Sequence, residues 1–133
     1  MTHIDARKAL LAKVKAGKAV SAHDASRIWP NGYAHAVNAS LGSLDAAEAL
    51  HEAVLPDWDW DIFNRGGISQ AMLDLDRGDD LKPIIKTGCC EAPSVAWLIA
   101  IVEAEIWQET AALSAASQGD APAGGPFAGK GMT

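Results

Sequence analysis

A chain of 133 residues, 49% apolar and 21% charged, has the make-up of one globular domain that buries a core without metal or disulfide support. No run approaches the roughly 18 apolar residues of a membrane span, and the opening MTHIDARK lacks an apolar signal core, so the sequence reads as a cytoplasmic protein. The net charge of −6 is uneven: residues 1–29 hold six basic and two acidic side chains, residues 44–109 fourteen acidic and four basic, a balance that disfavours direct nucleic-acid binding and suits a basic partner.

The first predicted helix spans Ile4 to Ala16, with Ile4, Leu10, Leu11 and Val14 on one face and Gly17 as its stop. Lys8, Lys13 and Lys15 lie off that face. They are ordinary surface lysines unless a phosphate meets them. Ser21 caps a second short helix that brings Ile28 and Trp29 inward and ends at Pro30-Asn31-Gly32. These two short helices form a basic N-terminal arm over residues 1–29. Tyr33 to Gly42 is small and neutral, with no decisive period.

Ser43 caps the next helix, whose inner stripe is Leu44, Ala47, Leu50 and Val54, and Pro56 prevents its continuation. His51 falls at the margin of that stripe and reads as a boundary histidine. The segment from Asp57 to Phe63 alternates strictly, with Trp58, Trp60 and Ile62 on one face and Asp57, Asp59 and Asp61 on the other. A turn at residues 64–67 leads to a second strand, Ile68–Leu75. A polar turn at residues 76–80 leads to a third, Leu81–Thr87, held to an edge by Pro83. Pro93 opens the last helix, whose apolar face is so wide that it must be packed on more than one side. Residues 113–133 are rich in Gly, Pro and Ala and read as a flexible tail beyond a domain at 1–112.

The fold class expected is α+β: a small, mostly antiparallel three-stranded sheet packed between helices. The core is expected to contain Trp58, Trp60, Ile62, Leu73, Leu98, Ile99 and Val102. The SLDAA start at Ser43–Ala47, the Pro56-x-Trp58-x-Trp60 strand entry, the alternating hairpin and Glu91-Ala92-Pro93 before the closing helix resemble small phage and prophage proteins carrying the phage ABA (α-β-α) sandwich domain. The resemblance covers about residues 43–110. It implies a sheet between helical layers and a bacteriophage origin, and brings no catalytic motif. The long acidic hairpin and the Gly-rich tail depart from that pattern.

Candidate sites are few. Asp57, Asp59, Asp61, Asp74, Asp76, Asp79 and Asp80 form an acidic patch suited to a basic partner. The plainer account is that they are solvated acids guarding a sheet edge. Their spacing does not match an EF-hand loop. Thr87, Gly88, Cys89 and Cys90 precede a helix start, where backbone N–H groups hold anions and thiols gain acidity. Adjacent cysteines do not suit a disulfide, and two thiols do not complete a zinc site. The histidines His3, His23, His35 and His51 have no metal-ligand spacing. Trp58 and Trp60 have the geometry to stack a base, but no basic groove accompanies them.

The sequence therefore points to a non-enzymatic phage protein without cofactor or metal. It would act in the bacterial host on a host protein, such as a nucleic-acid-handling complex, as a host-takeover or counter-defence inhibitor of the anti-CRISPR kind. A second reading is a nucleotide or small-molecule binder or enzyme at the Cys89–Ser94 helix start. A third is a homo-oligomeric structural or assembly component using exposed apolar surface around Trp107.

Overall fold

The structure, a computed structural model, describes residues 3–78 and 81–119. The elements run α1 (His3–Lys15), α2 (Ala22–Ile28), α3 (Tyr33–Ser40), α4 (Leu44–Val54), β1 (Asp59–Arg65), β2 (Ile68–Leu75), β3 (Ile84–Cys90) and α5 (Pro93–Gly119). Both predicted caps form. The Ser21 hydroxyl accepts from the Asp24 N–H and the Ser43 hydroxyl from the Ala46 N–H, each at 3.1 Å, satisfying N–H groups that the first helical turn leaves without partners. The stretch after Gly32, without clear period in the sequence, is α3. It has no side-chain cap, and fully buried Ala36 and Ala39 show that packing holds it.

The three strands form one antiparallel sheet in the order β1-β2-β3. A two-residue turn, Gly66-Gly67, joins β1 to β2 with φ of 62° and 85°, the left-handed pair that a tight hairpin requires. β3 begins three residues later than the sequence suggests, because Pro83 offers no N–H to the ladder. It continues through Cys90, because Gly88 lets the strand approach α5 closely. A Cβ on Gly88 would lie 2.2 Å from the carbonyl oxygen of Ala96.

The α+β class and the three-stranded antiparallel sheet are as expected. The layers, however, run sheet, α5, then the remaining helices. α5 lies against all three strands, mainly β3 and β2, while α1, α3 and α4 pack on α5 and α2 bridges α1 and α3. The central position of α5 explains its apolar girth: Ala96, Trp97, Leu98, Ala100, Ile101, Val102 and Ala104 are all essentially inaccessible. Trp58, Leu73, Leu98, Ile99 and Val102 join the core as anticipated, and Ile62 packs at its margin. Trp60 does not join it. It is 44% exposed, because β1 is an edge strand that α5 barely reaches.

α1 packs into the body of the domain through the apolar face expected of it. Leu10, Leu11 and Val14 are buried. Arg7 reaches Glu105 and Glu109 at 3.5 and 3.3 Å, Lys15 reaches Glu103 at 3.7 Å, and Lys13 bonds Asp24 at 2.6 Å. The Trp29 indole N–H donates to both oxygens of Glu105, at 2.9 and 3.0 Å. Burial pushes the Glu105 carboxyl above its ordinary range, and the charge of Arg7 and the Trp29 bond hold that rise back. α5 runs to Gly119, past Ala112 where the apolar pattern stops. The expected tail from 120 on lies outside the described residues. No described helix is long and apolar enough to cross a membrane.

Candidate functional site

The strand register divides the sheet into two chemically distinct faces. One row set contains Trp60 opposite Leu73, Ile62 opposite Ala71 and Asn64 opposite Ser69, and this face meets α5. The other contains Asp59 opposite Asp74, Asp61 opposite Met72 and Phe63 opposite Gln70. β3 extends that second face with Ile85 beside Asp74, Thr87 beside Met72 and Cys89 beside Gln70. No described helix lies over it, and Asp59, Asp61, Ile85, Thr87 and Cys89 are exposed.

Of the seven predicted acids, the fold gathers Asp59, Asp61 and Asp74 on this open face. Asp57 is exposed in the turn before β1. Asp76 follows β2 and its carboxylate accepts from the Gly78 N–H at 2.9 Å, a local turn role. Asp79 and Asp80 lie outside the described residues. Asp59 and Asp74 sit directly across the ladder from each other, where like charges are unfavourable. Among the described residues, no Lys or Arg pairs with Asp59, Asp61 or Asp74.

Thr87, Gly88, Cys89 and Cys90 are not at the helix start. They are strand residues paired with Met72, Ala71, Gln70 and Ser69, with their backbone committed to β3, and α5 begins only at Pro93. Strand alternation turns Cys89 outward and Cys90 toward α5, and both residues line a cleft of about 460 Å³ with Thr87, Gly88, Lys15 and Glu103. Ser94, inside the first turn of α5, is fully buried and its hydroxyl has no partner.

The pattern in the sequence understates His51. It is 2% exposed and ties α4 to α5 and to the residue just before β1. Its Nε2–H donates to the Trp58 carbonyl oxygen at 2.8 Å, and its Nδ1 accepts the Trp97 indole N–H at 3.2 Å. This arrangement requires the neutral ring. Burial lowers the pKa below the ordinary histidine value, while the Trp58 bond and the charges of Glu52, Asp59 and Glu48 oppose the shift. Beside His51 opens a cleft of about 470 Å³ lined by Glu52, Pro56, Trp58, Asp59 and Trp60. Trp60 rests on Trp97, ring centroids 4.4 Å apart and planes tilted 42°. Glu52 and the exposure of Trp60 have no signal in the strand alternation; the one clue is Glu52 following His51 at the end of the α4 stripe.

Among the described residues, no three His, Cys, Asp or Glu side chains converge as metal ligands. Trp107, considered as an oligomer contact, is half-buried and meets Trp58 edge-on at a centroid distance of 6.1 Å. No protein family, curated protein or solved structure matches this chain.

Proposed function

We propose that this is a non-enzymatic binding protein that docks a basic surface of another protein onto the open face of its sheet. The observation that supports this most is the Asp59–Asp74 pair: two like charges directly across a ladder, without a cation beside them, on a face that no described helix covers. Such a pair costs stability on its own and repays that cost when a cationic partner arrives. Exposed Ile85 and half-buried Met72 and Phe63 lie among the acids and offer the apolar centre that an interface needs. In the phage setting implied by the family resemblance, the partner is a nucleic-acid-handling protein of the bacterial host. The acidic face then takes the place of phosphates, and docking inhibits the host protein.

The test is capture of partners from bacterial lysate with the wild type and with Asp59→Asn/Asp61→Asn/Asp74→Asn, followed by mass spectrometry. The variant should lose the wild type's partners while unfolding at a urea concentration at least as high. Capture of the same partners at the same yield would sink the reading.

A further inference from the structure

The cleft beside His51 has a composition that the open sheet face lacks. Its lining combines an exposed aromatic ring, two carboxylates and a rigid floor. Glu52 comes from the last turn of α4 and Asp59 is the first residue of β1, so both residues line the cleft at the free edge of the sheet. Neither forms an ion pair with a described Lys or Arg. Together with Glu48 they act electrostatically on the ring of His51, which places their negative potential at this spot. Burial and the bond that its Nδ1 accepts from the Trp97 indole N–H favour the neutral His51 ring, so it does not cancel that potential.

Trp60 supplies the other half. Its ring is backed by Trp97 and is 44% exposed, although a tryptophan on the helix-facing side of a sheet is ordinarily covered. Trp97 is 1% exposed and is itself held by its bond to His51. The platform is therefore fixed before any ligand arrives, which spares the entropy of ordering it.

An indole face attracts cations, and a planar guanidinium stacks on it while its N–H fork reaches carboxylates on either side. A compact, strongly hydrated ammonium meets only part of that demand. We infer that this cleft is an arginine-accepting anchor site, in which a guanidinium from the docked protein lies on Trp60 between Glu52 and Asp59. The inference rests on the reading of the neighbouring acidic face as a docking surface. It adds the chemistry of one anchoring side chain and extends the footprint around the β1 edge.

The experiment uses the full chain, labelled with ¹⁵N, and follows the indole N–H signals of its five tryptophans. The probe is N-acetyl-arginine amide, and the control is the matching citrulline amide, equal in shape but neutral. Saturable shifts at Trp60 and Trp97 with the arginine probe, and none with citrulline, are expected. Trp60→Leu, Glu52→Gln and Asp59→Asn should each weaken arginine binding by about 3- to 10-fold. Asp61→Asn/Asp74→Asn, which alters only the sheet face, should leave it within about 2-fold. Equal responses to arginine and citrulline, an absent response, or variants that bind like the wild type would each overturn the arginine site. Those outcomes leave the sheet-face reading standing if the triple Asn variant still loses its partners. Arginine binding by the wild type, with partner capture intact in Asp61→Asn/Asp74→Asn, would support the arginine site and overturn the sheet face instead.

Discussion

His51 shows how one side chain's surroundings set a pH response. Its folded-state pKa lies below the ordinary value of 6.5, chiefly because the ring is buried. Above pH 6.5 the ring is neutral in both folded and unfolded chains, and its contribution to stability is fully present. As pH falls below that value the unfolded chain takes up the proton first, so stability declines until the folded-state pKa is reached. Protonation in the fold would also set an Nδ1–H against the Trp97 indole N–H. Urea unfolding across this window should show stability falling with pH below 6.5, and His51→Gln should flatten that slope relative to the wild type. A parallel slope in the variant would assign the dependence to other groups. Glu105 works in the opposite sense, since its raised pKa makes the folded chain the better proton binder above the ordinary carboxylate value, so the difference between the two proteins is what isolates His51.

At the scale of elements, β3 illustrates how a strand is located by what it touches. The apolar start at Leu81 suggests a strand from there, but the ladder forms only beyond Pro83 and extends to Cys90. Gly88 is the residue that decides this, since β3 lies so close to α5 that a methyl group would meet the Ala96 carbonyl at 2.2 Å and the Ala100 nitrogen at 2.8 Å. Both obstacles are backbone atoms of a helix packed on both sides and have little room to yield. Gly88→Ala should therefore cost about 3 kcal/mol or more in chemical denaturation. A loss below about 0.5 kcal/mol would mean that β3 and α5 separate easily. The same close packing keeps residues 87–90 in the ladder of β3 rather than in a loop at the start of α5.

For the whole molecule, the buried cluster of Arg7, Trp29 and Glu105 ties three separate helical regions together. Removing one partner leaves a buried charge unpaired, which costs more than the pair contributes. Arg7→Met should destabilise the protein by about 3 kcal/mol. Arg7→Met combined with Glu105→Leu should recover most of that loss, because the double change leaves no isolated charge, although the Trp29 indole N–H then loses its acceptor. Additive losses in the double mutant, read from urea midpoints, would show that the pair is not coupled. Ion pairing also accounts for much of the positive charge in residues 1–29. Arg7 and Lys15 face acids of α5 and Lys13 faces Asp24 of α2, so the basic segment serves assembly of the fold, while Asp59, Asp61 and Asp74 on the far side of the sheet meet no described Lys or Arg.

Features that depend on neighbours along the chain were legible before the fold was known. Ser21 and Ser43 announced helix starts, Pro56 and Pro93 bounded elements, Gly66-Gly67 set a hairpin, and the Trp/Asp alternation assigned residues to opposite faces of β1. These follow from hydrogen-bond capping, fixed φ and a side-chain period of two, all of which act over a few residues. Tertiary structure alone decided whether each face is covered. It placed α5 between the sheet and the other helices, left Asp59, Asp61 and Asp74 open, exposed Trp60 at an edge and buried His51 between two tryptophans. The period of a strand says which side chains share a face. What lies against that face is settled by residues distant in sequence, through burial and close packing that no local pattern encodes.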